Sequence, residues 1–178
     1  GMMELYLRNE DYHHALLYGE KLFQINPNIE KIYETLIQII GKTKNWQQLI
    51  NITQKAYTNK IIEKNIFNEN TSIGYYEIAK IKKDNSYSEA LNNIYKAIKL
   101  KENFLPYNLL LINLLITNND ILKAKKELKK LWKNNPNNEL IKPSLQLAVL
   151  ISKSPLSTSY DLVGHNPQNR KAIELLIT

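Results

Sequence analysis

The chain has 178 residues, 43 % apolar and 23 % charged, enough for a packed core and too apolar for a disordered segment. It has no cysteine, which excludes disulfide scaffolds, cysteine nucleophiles and thiolate metal sites. The net charge is +7, but 22 of the 24 basic residues are Lys and only Arg8 and Arg170 are Arg, which argues against nucleic acid, whose readers depend on the planar guanidinium.

No apolar run approaches the roughly 18–20 residues of a membrane-spanning helix. The longest, Leu109 to Ile116, is interrupted by Asn113. No charged, apolar and cleavage regions open the chain, so no signal peptide is expected in it.

In chain order, the first marked element is an amphipathic helix that runs through Ala15 and closes at Asn26-Pro27-Asn28. A second copy runs through Ala124 and closes at Asn135-Pro136-Asn137. In both, the small residue stands 12 positions before the proline. The position of the small residue falls on Ala15, Leu49, Ala90 and Ala124, in steps of 34, 41 and 34. The aromatic position three residues earlier falls on Tyr12, Trp46, Tyr87 and Ile121, and the position seven later on Leu22, Ala56, Ala97 and Leu131. A preceding helix reads Tyr33-x2-Leu36-Ile37-x2-Ile40 and again Asn108-x2-Leu111-Ile112-x2-Leu115. This pattern resembles the tetratricopeptide repeat, a 34-residue helix–turn–helix unit. Small residues let the two helices of a unit approach, and proline ends the second helix because it lacks an N–H. Asn supplies the turns at Lys44-Asn45, Asp84-Asn85-Ser86 and Asn118-Asn119-Asp120.

The resulting expectation is an all-α superhelix of antiparallel helix pairs, an α-solenoid, in a single domain over 1–178. Its units fall at about 1–29, 30–59, 60–104 with a seven-residue insertion, 105–138, and a degraded end at 139–178. In the third unit Gly74 stands where a large residue belongs and Glu77 where Leu belongs, so its first helix is expected to start early, near Lys60. Further on, Pro143 is expected to start a helix over 144–152. Ser154-Pro155 opens another that ends at His165-Asn166-Pro167, and 170–177 reads as a first helix.

Several segments in this order resemble one family, the repeat domain of HemY-type inner-membrane proteins in their alphaproteobacterial form. The carriers are Asp11-Tyr12-His13-His14-Ala15 with Ile25-Asn26-Pro27, Lys44-Asn45-Trp46 with Leu49-Ile50, Glu89-Ala90-Leu91 to Ala97-Ile98-Lys99-Leu100, and Leu156 to Leu162 followed by Asn166-Pro167-Gln168-Asn169-Arg170-Lys171-Ala172. The last departs from the family's Asn-Pro-Asp-x-x-Glu-Ser segment in Gln168 and in Lys171-Ala172. The resemblance implies a bacterial, non-catalytic interaction scaffold associated with haem biosynthesis. The scaffold would sit at the inner membrane, cytoplasmic side favoured, with its anchor outside this chain. The alternatives are a generic tetratricopeptide adaptor and a basic binder of membrane surface or nucleic acid.

Catalytic and cofactor patterns are not found. Glycines at 1, 19, 41, 74 and 164 build no phosphate loop. His13 and His14 are adjacent on a helix, about 100° apart, and cannot share a metal there. They and His165 read as surface residues. No enzyme, metal or cofactor is expected; the alternative role for the histidines is that of a haem axial ligand. Asn51-Ile52-Thr53 and Asn70-Thr71-Ser72 match glycosylation sequons, as chance allows in a chain with 23 Asn.

By repeat position the side chains free to face a partner protein or peptide are Lys31, Glu34, Gln38 and Lys42 in unit two. In unit three they are Tyr75, Ala79, Lys82 and Lys83, and in unit four Leu109, Asn113 and Thr117. Only Asn113 matches the Lys-Asn-Asn-Lys clamp for a peptide carboxylate, so that ligand is not expected. The second helix of unit four carries Lys123, Lys125, Lys126, Lys129, Lys130 and Lys133 opposite Ala124, Leu128 and Leu131. It is either a solvated face or a contact for an anionic bilayer or acidic partner.

Overall fold

A computed structural model describes residues 1–134 and 136–177, and side chains over the same span except at 172 and 175–177. Asn135 of the second Asn-Pro-Asn motif and the side chain of Ala172 therefore lie outside the described residues. The fold is all-α, built of antiparallel helix pairs. In order the helices are α1 (Met2–Arg8), α2 (Tyr12–Ile25), α3 (Glu30–Thr43), α4 (Trp46–Thr58), α5 (Lys64–Lys82), α6 (Tyr87–Leu100), α7 (Leu105–Thr117), α8 (Ile121–Asn134), α9 (Ile141–Leu150), α10 (Pro155–His165) and α11 (Arg170–Ile177). A 3-10 turn over Asn138–Leu140 leads into α9.

The helices fall into two compact units, residues 1–82 with 92–102 and residues 83–91 with 103–178. In the first unit each of α1 to α4 packs on its successor. Ala15, Leu16, Phe23, Tyr33, Leu36, Ile40, Leu49 and Ala56 form its core. In the second unit α7 packs on α8, α8 on α9 and α9 on α10, around Leu111, Leu115, Ala124, Leu128, Trp132 and Leu147. Ala15, Ala90 and Ala124 are all fully buried, as the repeat requires of its small position. Seven residues on, Ala56, Ala97 and Leu131 are buried but Leu22 is not. Phe23 takes its place in the core, with its ring 6.5 Å from that of Tyr33.

Four of the turns share one device. Asp11, Ile61, Asp120 and Lys153 each donate a backbone N–H to the carbonyl five residues back, at 2.8–2.9 Å. The residue before each donor is left-handed: Glu10, Lys60, Asn119 and Ser152 have φ of 55–61°. That is the Schellman closure of a helix end, made here without glycine. Lys44 closes α3 with the simpler left-handed cap, its N–H on the Ile40 carbonyl at 2.7 Å. Asp11, Asn45 and Ser154 then cap the next helix, accepting the N–H of His14, Gln48 and Ser157.

Two boundaries differ from the sequence reading. The first helix of unit three starts at Lys64, not near Lys60, because Lys60 is spent on the left-handed closure of α4. With 19 residues, α5 still absorbs the insertion. Helix α9 starts at Ile141, before Pro143, and ends at Leu150 rather than Ser152. Proline fits the first turn because the N–H it lacks would have no intrahelical partner there, while left-handed Ser152 stops the helix. Gly74 is the other departure with a reason: a Cβ there would lie 2.6 Å from Ile50 Cγ1, so α4 and α5 meet closely at this point. No described helix is long and apolar enough to cross a membrane.

Candidate functional site

In the first unit α3 divides cleanly into two faces. Tyr33, Leu36, Ile39 and Ile40 are buried, whereas Lys31, Glu34, Gln38 and Lys42 are all exposed along the opposite stripe. Thr35 donates its hydroxyl back to the Lys31 carbonyl at 2.8 Å, so it has no donor left for a partner. The stripe carries two cations, a carboxylate and an amide, with no packing role in the unit.

Helix α5 is tied to α3 by a bond the repeat pattern does not encode. The Asn70 amide donates to the Tyr33 hydroxyl at 2.8 Å. Asn70 is thus an internal strut of the unit. Tyr75 is half-buried, and the Lys96 ammonium of α6 stands 5.2 Å from its ring centre, a cation–π contact. Lys101, just past the end of α6, pairs with Glu69 at 3.3 Å. Lys80 pairs with Glu77 at 2.9 Å, and that hydrogen-bonded carboxylate pushes the ammonium pKa up. Lys82 is half-buried. Ala79 is fully buried, so it does not project outward as the repeat position implied; its methyl is part of the apolar core.

Asn113 belongs to the second unit. It is exposed on α7 and, with Leu109, Ile116 and Thr117, faces Lys142, Pro143 and Gln146 of α9 across an open cleft of about 590 Å³. The structure thus brings α3 and Tyr75 of α5 into one unit and keeps Asn113 in the other.

On α8 all six predicted lysines, Lys123, Lys125, Lys126, Lys129, Lys130 and Lys133, are exposed, and Ala124, Leu128, Leu131 and Trp132 are buried. Lys123 pairs with Asp120 at 3.5 Å. Leu122 lies beside them with 85 % of its surface exposed. Asp120 also accepts the Tyr87 hydroxyl at 2.5 Å; this bond, aided by Lys123, holds its carboxyl below the usual Asp range. Asp11 is likewise lowered, chiefly by the backbone N–H of His14. His14 stacks on Tyr6 at 5.1 Å and its Nδ1 lies 2.7 Å from Asp11. Among the described residues no three His, Asp or Glu are placed to hold a metal ion.

Sequence reasoning missed Asn70, Lys96 and a cleft among α8, α9 and α10. The first two act between helices, and repeat spacing carries no signal for such pairs. The cleft depends on how α10 seats, which a helix-by-helix reading does not contain.

No family model matches the sequence, and no curated protein matches it. Solved structures do. The chain is similar to YrrB, described as a TPR protein with an unusual peptide-binding site, at 12 % identity over 99 % of this chain and 89 % of that one, with a TM-score of 0.51. It is also similar to TTC0263, a thermophilic TPR protein of Thermus thermophilus, at 13 % identity, with coverage of 99 % and 96 % and a TM-score of 0.41. PilF of Pseudomonas aeruginosa aligns at 13 % identity, with coverage of 99 % and 94 % and a TM-score of 0.44. The likeness to YrrB shows that the fold is of tetratricopeptide type.

Proposed function

We propose that the chain is a non-catalytic scaffold that binds a protein or peptide along the exposed face of α3 and the neighbouring part of α5. The observation that carries this reading is the stripe Lys31, Glu34, Gln38 and Lys42, exposed on a helix whose other face is fully committed to the core. Lys31 and Lys42 would hold acidic groups of a bound segment, Gln38 its backbone, and Tyr75 with Lys82 the rim beyond. Asn113 would serve the same role in the second unit. YrrB's peptide-binding site supports a peptide as the class of ligand on this fold.

The test is selection from a displayed random-peptide library on the full chain. Enriched peptides that lose binding at least tenfold in Lys31→Glu/Lys42→Glu support the reading. No enrichment, or binding indifferent to the double substitution, refutes it.

We further infer a HemY-type protein, a domain serving haem biosynthesis at the inner membrane of a bacterium, cytoplasmic side favoured. The ordered segments from Asp11 to Lys171 support this. Its test is the sequence encoded upstream of Gly1: an apolar hairpin there supports the assignment, and a native start at Met2 refutes it.

One observation favours a second reading. The lysine face of α8, with Leu122 exposed among it, has the make-up of a helix that rests on an anionic bilayer. Sedimentation with phosphatidylserine vesicles that fails at low salt excludes it.

A further inference from the structure

In the second unit Trp132 anchors α10 to α8. Its indole N–H donates to the Leu162 carbonyl at 2.9 Å, and the Asn166 amide donates to the Trp132 carbonyl at 2.7 Å. Both bonds sit at the C-terminal end of α10. Ahead of them α8, α9 and α10 leave a cleft of about 300 Å³, at the small end of the range of about 300–1,000 Å³ for ligand pockets. Its floor is Leu128, Trp132, Leu147, Ala148 and Leu162, all buried.

Two hydroxyls face this space, and both have spent their O–H on backbone carbonyls, so neither can donate to a ligand. Ser144 donates to the Leu140 carbonyl at 2.8 Å and Thr158 to the Ser154 carbonyl at 3.1 Å. The interior therefore rewards a ligand segment with no polar atoms of its own. A peptide backbone would find no hydroxyl donor there for its C=O groups, and an alkyl chain needs none.

The rim is basic. Lys125 and Lys129 of α8 border the opening, and neither is ion-paired among the described residues. Lys153, also at the rim, is paired with Asp161. An anionic head placed between Lys125 and Lys129 gains a charge-assisted contact that a neutral head does not.

We propose that this cleft binds one single-chain amphiphile, with a medium-length alkyl tail among Leu128, Leu147, Ala148 and Leu162 and an anionic carboxylate or phosphate head on Lys125 and Lys129. The site shares no residue with the peptide-binding face on α3 and α5, and its test stands apart from that of the scaffold reading.

The experiment titrates the full chain, carrying Trp46→Phe so that Trp132 is its one tryptophan, with dodecanoate, dodecyl phosphate and dodecanol below their micelle thresholds. Calorimetry on the unaltered chain gives the stoichiometry. One or both anions are expected to shift Trp132 emission and saturate at one equivalent, and the anion that does so identifies the head. Dodecanol binds at least tenfold more weakly. Lys125→Ala/Lys129→Ala, on the exposed rim, weakens the anions at least tenfold and leaves dodecanol unchanged. Ala148→Leu fills the floor and abolishes all three. No saturable shift with either anion, equal affinity for dodecanol, or full affinity in the lysine double variant overturns the proposal.

Discussion

Four glycines lie inside helices, and a Gly-to-Ala series separates close helix packing from mere composition. In an exposed helix interior the change gains about 1 kcal/mol from backbone propensity. At Gly41 and Gly164 an added Cβ meets nothing within 4 Å, so both variants keep that gain. For a chain of this size it corresponds to a rise of about 2–4 °C in Tm. At Gly74 the Cβ would sit 2.6 Å from Ile50 Cγ1 and 3.2 Å from the Trp46 carbonyl oxygen. Neither atom is a loose chain end, and overpacking of this kind costs about 1–3 kcal/mol, so the sign reverses. Gly19 falls between: its obstacles are Leu36 Cδ2 at 2.7 Å and Met3 Sδ at 2.9 Å, tips of side chains, one of them flexible. Gly41 and Gly74 share one compact unit, so their variants compare directly. The assay is the helical circular-dichroism melt of each variant. A Gly74→Ala protein that melts as high as Gly41→Ala refutes the close α4–α5 approach.

Thr53 is fully buried on α4 and its Oγ1 has no hydrogen-bond partner, so Thr53→Val removes a desolvated hydroxyl at nearly constant shape. It should stabilise by about 1 kcal/mol, read as a higher urea midpoint at unchanged slope. Lys44→Gly relieves the left-handed backbone at φ 55° and should raise the same midpoint by about 0.5–1 kcal/mol; a fall would mean that the Lys side chain is held by packing. Asp120 titrates below the usual Asp range because it accepts the Tyr87 hydroxyl. A lowered folded-state value means stability that is present at neutral pH and lost as pH falls through that value. Tm measured from neutral to acid pH should therefore drop less steeply in Asp120→Asn than in the parent, and parallel curves would refute the assignment.

The helix-pair architecture was legible because its cause is local. Small residues recur where two helices touch, and Ala15, Ala90 and Ala124 are all fully buried there. Two of the turns repeat the same interval: left-handed Glu10 and Lys44 are 34 residues apart. What misled was reading each unit alone. Gly74 looked like a lost core residue, yet it is the contact that admits Ile50, a fact that belongs to the crossing of two helices. Lys60 looked helical and is spent on a turn, because Lys carries no sequence mark of a left-handed backbone. On the candidate face, the α3 stripe followed from helical period alone, whereas Ala79 lies in the core because a 34-residue frame does not fix how the lengthened α5 seats.

The polar ties described above between distant parts of the chain have similar reach. Tyr33–Asn70 spans 37 residues, Glu69–Lys101 spans 32, Tyr87–Asp120 spans 33, Trp132–Leu162 spans 30 and Trp132–Asn166 spans 34. Each bridges about one repeat length and stops. Damage at one such bond is therefore felt by its neighbours and fades beyond them, as in a ladder that loses a rung. Evolution can then retune one rung for a new ligand without renegotiating the remainder.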